Sequence, residues 1–184
     1  MKKLMIALAA VAVATGVQAA SFVWQTKASN PVYVGDGTTT KLTSGTAYIF
    51  DAATVSQATL VNALVAGTLD LSSAGSLDHL TISSGAIAVG DSVTYGKAET
   101  DYNMYFAVVN GDNLYISDVK VYTAPAGADD AVLKFEPKTS SKPAPMDATA
   151  GYTGAGWYAA VPEPTSGLLL LLGVAGLALR RRRA

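Results

Sequence analysis

Two uninterrupted apolar runs, each set against a cluster of basic residues, bracket this chain and limit how much of it can form a water-exposed fold. Leu4–Ala14 follows Lys2 and Lys3, and Gly167–Leu179 runs into Arg180, Arg181, Arg182 and Arg183. Neither run has a polar stripe, so neither suits a helix on the surface of a globular domain. The first run is eleven residues long, short of the ~20 that a membrane-spanning helix needs. A basic start, a short apolar stretch, a break at Thr15-Gly16 and small residues around Val17-Gln18-Ala19 are the parts of a secretory signal peptide. The expectation is export with the Sec translocon and signal peptidase as partners, and cleavage after Ala19 to leave Ala20 first.

The second run would span about 20 Å as a helix, against a hydrocarbon core of ~30 Å. The four arginines act as a stop, stay on the cytoplasmic side and extend the span by snorkelling. This reading makes 167–179 a transmembrane helix with the preceding domain outside the inner membrane. Before the run stands Val161-Pro162-Glu163-Pro164. Pro162 and Pro164 forbid a helix there and hold the backbone extended, the form that a peptidase or transpeptidase cleft binds.

A Pro-Glu-Pro motif, an apolar stretch and a basic cluster in that order resemble the PEP-CTERM sorting signal of Gram-negative bacteria. The resemblance covers residues 161–184. It implies processing by an exosortase, with Pro162, Glu163 and Pro164 as the recognised motif, and a transient stay in the membrane before the cell surface or extracellular matrix. It also implies association with exopolysaccharide. The catalytic residues of that processing belong to the exosortase. No LPxTG-type motif supports a Gram-positive wall-sorting route.

Between the ends lies one domain, expected over residues 20–160, with signal peptide 1–19 before it and sorting signal 161–184 after it. About 140 residues are enough to bury a single core without staples. The chain has no cysteine, so packing alone must hold the domain. From Ala20 through Glu163 there are seven lysines against fourteen acids, a balance of −7, and no arginine. Such a surface repels a phosphate backbone, and nucleic-acid binding is excluded on that ground.

The middle is rich in Thr, Ser, Gly, Val and Tyr with frequent turn residues, which predicts a mostly β, sandwich-like domain. Strands are expected at 22–26, 31–34, 47–51, 80–83, 86–89, 91–95, 102–109, 114–122 and 131–136. The clearest unit is the hairpin Tyr102–Tyr122. Met104, Phe106 and Val108 alternate on one face of its first arm, and Asn110-Gly111-Asp112-Asn113 makes the turn. One helix is expected over Val55–Ala66. Ala58, Val61, Leu64 and Val65 share its inner face, Thr54 or Ser56 caps its start and Gly67 sits at C′. Thr139–Pro145 reads as a loop. Trp157-Tyr158 reads as a last strand, or as an aromatic anchor near the membrane surface.

Chemistry is sparse. The single histidine, His79, stands next to Asp78 and near Ser76, Ser83 and Ser84. Neighbours on a strand point to opposite faces, so Asp78 is badly placed to orient His79 as a triad requires. Asp129-Asp130 and Glu99/Asp101 are the nearest carboxylate pairs for glycoside chemistry, but both lie among loop residues. Asp36 and Asp112 sit in Gly-rich turns without the ligand density of a calcium loop. Tyr95, Tyr102, Tyr105, Tyr115 and Tyr122 are either a sugar-stacking platform or cross-strand packing. No catalytic residue, metal site or cofactor is expected. Two alternatives to a non-enzymatic surface protein stay open: a secreted enzyme acting on polysaccharide, and a single-span protein that keeps its tail.

Overall fold

Alternation along Asp101–Asn110 sets up the architecture. Met104, Phe106 and Val108 point to one side of this strand, Tyr105 and Ala107 to the other, and all five are fully buried. A strand buried on both faces needs a packed layer on each side. The computed structural model describes residues 19–27, 30–34, 40–126, 131–137 and 144–160. In chain order its elements are β1 (Ala19–Thr26), β2 (Ser44–Asp51), α1 (Gln57–Val65), β3 (Asp78–Ser83), β4 (Ala86–Ile87), β5 (Val93–Lys97), β6 (Asp101–Asn110), β7 (Asn113–Ile116), β8 (Lys120–Thr123), β9 (Ala131–Phe135), β10 (Met146–Asp147) and β11 (Gly156–Ala159), with a 3₁₀ turn at Ala148–Ala150. Among the described residues the domain is mostly β with one α-helix, as its composition predicts.

The strands form two sheets. The larger has the order β10-β11-β7-β6-β2-β3-β4, with β8 also paired to β6; the smaller is β5-β1-β9. β1 runs antiparallel to β5 and parallel to β9. One core lies between the sheets. Phe22 and Trp24 of β1 and Leu133 and Phe135 of β9 meet Ile49 of β2 and Met104, Phe106 and Val108 of β6. The Phe106 ring centroid is 6.2 Å from that of Trp24 and 5.1 Å from that of Phe135. A second core lies on the other face of the larger sheet, where Leu60 and Val61 of α1 cover Phe50, Tyr105 and Ile116.

The helix is shorter than expected, starting at Gln57 rather than Val55. Ser56 is the residue that caps it, its Oγ accepting from the Thr59 N–H at 3.2 Å. At the other end Gly67 N–H bonds to Leu64 C=O and Thr68 N–H to Ala63 C=O. That is a Schellman closure, with Gly67 at φ +66°. Leu60 and Val61 are buried, but Ala58 and Val65, both expected on the inner face, are exposed, Val65 at 44%. Val65 falls in the last turn, past the sheet that the helix covers.

The predicted hairpin is present, and it contains a bulge. Asn110 pairs with Asn113 across Gly111-Asp112, and Gly111 at φ +59° supplies the positive φ that a two-residue turn with Gly first requires. Beyond it Ala107 pairs with Ile116, yet Met104 pairs with Lys120. Two residues of β6 therefore face three of the return arm, Ser117–Val119, which is one extra residue. The expected single strand 114–122 is thus split into β7 and β8. Ser117 Oγ closes the gap, accepting from Phe106 N–H at 2.9 Å and donating to Asp118 C=O at 3.0 Å. Gln57 Nε2 donates to Ser117 C=O and so ties α1 to the bulge.

Three other strand expectations need correction, the first being 86–89, which forms a strand only over Ala86–Ile87. Residues 31–34 form only a bridge between Tyr33 and Lys41. The strand expected at 91–95 lies at Val93–Lys97.

Candidate functional site

The sorting residues Pro162, Glu163, Pro164 and Arg180 to Arg183, and the expected helix 167–179, lie outside the described residues, as do Asp36, Asp129 and Asp130 and most of the signal peptide. The domain reaches close to both ends. β1 opens at Ala19, the expected cleavage residue, and Ala20 is already fully buried. β11 closes at Ala159, three residues before Pro162. Among the described residues no helix is long and apolar enough to cross a membrane.

The structure separates the candidates for chemistry instead of gathering them. Asp78 accepts a 2.7 Å hydrogen bond from Trp24 Nε1. His79 is exposed on the opposite face of β3 and stacks on Tyr48, with ring centroids 5.8 Å apart. Asp101 accepts from Thr123 Oγ1, and Glu99 sits at φ +56° with its N–H on Ala124 C=O. Glu99 belongs to the turn between β5 and β6, and Asp101 is the first residue of β6, paired with Thr123 of β8. Asp112 is exposed in the hairpin turn.

The tyrosines chosen from sequence are packing residues. Tyr105, Tyr115 and Tyr122 are buried, and Tyr95 and Tyr102 form an edge-on pair 5.2 Å apart. Tyr95 Oη donates to the buried Asp51 carboxylate at 2.7 Å. Burial, reinforced by that carboxylate, raises the Tyr95 phenol above its ordinary value. Tyr105 Oη donates to Val55 C=O at 2.8 Å. Trp157 and Tyr158 lie in β11 and are buried one on each face, Trp157 between the sheets and Tyr158 in the second core. They make the last strand of the sheet.

One groove, of about 290 Å³, combines an aromatic ring with polar groups. Thr46, Tyr48 and Val109 of the larger sheet make its floor, and the segment 69–72 after α1 makes its wall. Leu71 is buried and anchors the wall. Asp70 is held in a tight turn, with Oδ1 accepting from Ser72 N–H and Oγ–H and Oδ2 from Ser73 Oγ–H. These bonds hold its carboxyl below the usual range. Sequence reasoning missed this groove because Tyr48 and Asp70 are brought together only by the chain reversal after α1. The Asp70-Leu71-Ser72-Ser73 turn chemistry was the signal available.

No curated protein and no solved structure matches the chain. Residues 160–183 match the family model of the PEP-CTERM protein-sorting motif. The match begins immediately after β11 and leaves the β domain outside it. That motif indicates exosortase-dependent sorting of an exported protein, with the exosortase as processing partner and a transient membrane stage on the way to the cell surface. By that motif the chain is a PEP-CTERM sorting domain-containing protein.

Proposed function

We propose that this chain delivers a non-enzymatic β module to the cell surface or extracellular matrix, where it associates with exopolysaccharide. The observation that carries the reading is the sorting motif over residues 160–183. Signal peptidase removes residues 1–19, the arginine cluster stops transfer, and the exosortase releases the domain by acting at the Pro162-Glu163-Pro164 segment. The non-enzymatic part is supported by the engagement of the candidate acids and base. Asp78 holds Trp24, Asp101 accepts from Thr123, and His79 stacks on Tyr48 away from Asp78.

The test is intact-mass measurement of the protein recovered from the cell surface, joined to fractionation with extracellular polysaccharide and a turnover assay. The expected product starts at Ala20, lacks Leu168–Arg183, co-fractionates with the polysaccharide and hydrolyses none of it. A product that retains the tail overturns the processing claim and favours the single-span anchored protein. Turnover abolished by changing an acidic pair overturns the non-enzymatic claim.

A further inference from the structure

We propose that the groove between the β2–β6 face and the segment 69–72 binds a neutral polysaccharide chain, with the Tyr48 ring as its stacking surface and Asp70 and neighbouring hydroxyls as its polar partners. The proposal rests on the matrix reading above and names the surface that would meet the glycan.

The groove opens onto a patterned sheet face. On the side of the larger sheet that carries α1, the directly opposed pairs of β2 and β3 are Ser44–Ser83, Thr46–Thr81 and Tyr48–His79. Rows on one face of a strand recur every ~6.6–6.8 Å, so two hydroxyl pairs and a ring pair follow one another in register. α1 covers the next row, at Phe50, and stops there. Ser44, Ser83, Thr81 and His79 are exposed, and Thr46 and Tyr48 are half-buried. A half-buried ring is fixed by packing before any ligand arrives, which reduces the ordering cost of binding.

The chemistry fits a neutral polyol. A pyranose presents an apolar C–H face and a rim of hydroxyls. Tyr48 offers a ring to the face, Thr46 a hydroxyl that both donates and accepts, and Ser72 an Oγ that accepts, its proton being given to Asp70. Asp70 is acceptor-only when ionised and accepts strong bonds from hydroxyl donors. Charge selects against the acidic alternative. The groove carries a carboxylate, acids outnumber lysines in the domain, and no arginine stands before Arg180 to clamp an anion. A peptide partner would need apolar burial; Leu71 is already spent in the core, and only the half-buried Leu69 and the side chain of Val109 remain as apolar lining.

The experiment is affinity electrophoresis of the full-length chain in mild detergent, through gels containing hydroxyethyl cellulose, galactomannan or dextran as neutral probes and alginate as the anionic one. At least one neutral polymer should retard the protein and alginate should not. Tyr48→Ala should weaken retardation about tenfold, equivalent to ~1.4 kcal/mol. Tyr48 also packs against the second core, so Asp70→Asn, an exposed change whose Oδ1 can still accept from Ser72 though the Ser73 bond to Oδ2 is lost, provides an independent weakening. Val132→Ala, on an exposed position of β9, should leave retardation unchanged. Retardation by a neutral polymer that survives both groove variants overturns the site and leaves the matrix reading standing. No retardation by any neutral polymer, or equal retardation by alginate, overturns the proposal itself. The matrix reading fails separately, if the surface protein does not co-fractionate with polysaccharide.

Discussion

The indole Nε1–H of Trp24 donates to Oδ2 of Asp78 at 2.7 Å, joining the central strand of the smaller sheet to β3 of the larger across 54 residues of sequence. Trp24 itself is fully buried between the sheets. Removing the acceptor leaves a buried donor unpaired, which costs about 1–3 kcal/mol. Asp78→Ala should therefore lower the urea midpoint without changing the slope, while Asp78→Asn, which keeps an acceptor, should lose less. Equal midpoints for Asp78→Ala and the parent would show that the bond contributes nothing.

Two buried phenols should respond in opposite ways to loss of the hydroxyl. Tyr105 Oη is bonded to Val55 C=O, whereas Tyr115 Oη is buried with no hydrogen-bond partner among the described residues. Tyr105→Phe should cost about 1 kcal/mol. Tyr115→Phe should be neutral or stabilising, because it removes a desolvated group that repays nothing. Denaturant unfolding of the two variants decides it, and a Tyr115→Phe loss as large as that of Tyr105→Phe contradicts the assignment.

The same burial predicts alkaline behaviour. Desolvation pushes the Tyr105 and Tyr115 phenols far above their ordinary value, and Tyr95 and Tyr152 are raised for the same leading reason. Unfolded tyrosine ionises near pH ~10. Because the folded values are higher, the stabilisation is complete below that pH and is lost as pH rises through it. Phenolate absorbance should thus rise in two stages, with part of the nine tyrosines titrating only on unfolding. A single stage covering all nine in a protein still folded by circular dichroism would refute this.

At the acid end the exposed pair Lys27–Glu136 gives the opposite sign. Its hydrogen bond and the lysine charge lower the Glu136 pKa. The contribution is present above the ordinary carboxylate range and disappears as pH falls through the lowered value. A double-mutant cycle of Lys27→Met and Glu136→Gln should show a coupling at neutral pH that fades in acid and in high salt. A coupling unaffected by either condition would mean that the two residues do not interact as charges.

Sorting should depend on two separate parts of the tail. Pro162→Ala with Pro164→Ala should let a helix extend through Glu163, giving uncleaved, membrane-retained protein. Each arginine near mid-bilayer costs about 2.5–3.5 kcal/mol on insertion scales, so replacing Arg180 to Arg183 with Ser should misplace the tail, also without correct cleavage. Cell fractionation with C-terminal peptide mass follows both. Normal delivery of the double-proline variant would remove the motif from its role.

Much of the β domain was legible because its signals are local. Met104, Phe106 and Val108 alternate in the sequence and do so in the core, and Ser56 and Gly67 cap the helix from adjacent positions. The bulge at Ser117–Val119 was not legible. Tyr115 and Tyr122 are seven residues apart, a spacing that puts them on opposite faces of a regular strand; the extra residue returns both to the core between the sheets. That outcome depends on Ser117 meeting Phe106, a contact that no local pattern announces. The groove was hidden for the same reason. Tyr48 lies within the expected strand 47–51, and no local pattern places the wall carrying Asp70 beside it.

The parallel pairing of β1 with β9 sets a timetable for an exported chain. Phe22 pairs with Ala131, so one of the first strands to be made has its partner 109 residues behind it. Until then Phe22 and Trp24 have no finished sheet to occupy, and closing so long a loop is slow. The segment matched by the sorting motif begins at residue 160, only 25 residues after β9 ends at Phe135. Closure of the smaller sheet and arrival of the tail at the membrane are therefore nearly coincident. A variant that delays β9 would present the exosortase with an unfinished domain, so that the order of emergence, and not stability alone, bears on delivery.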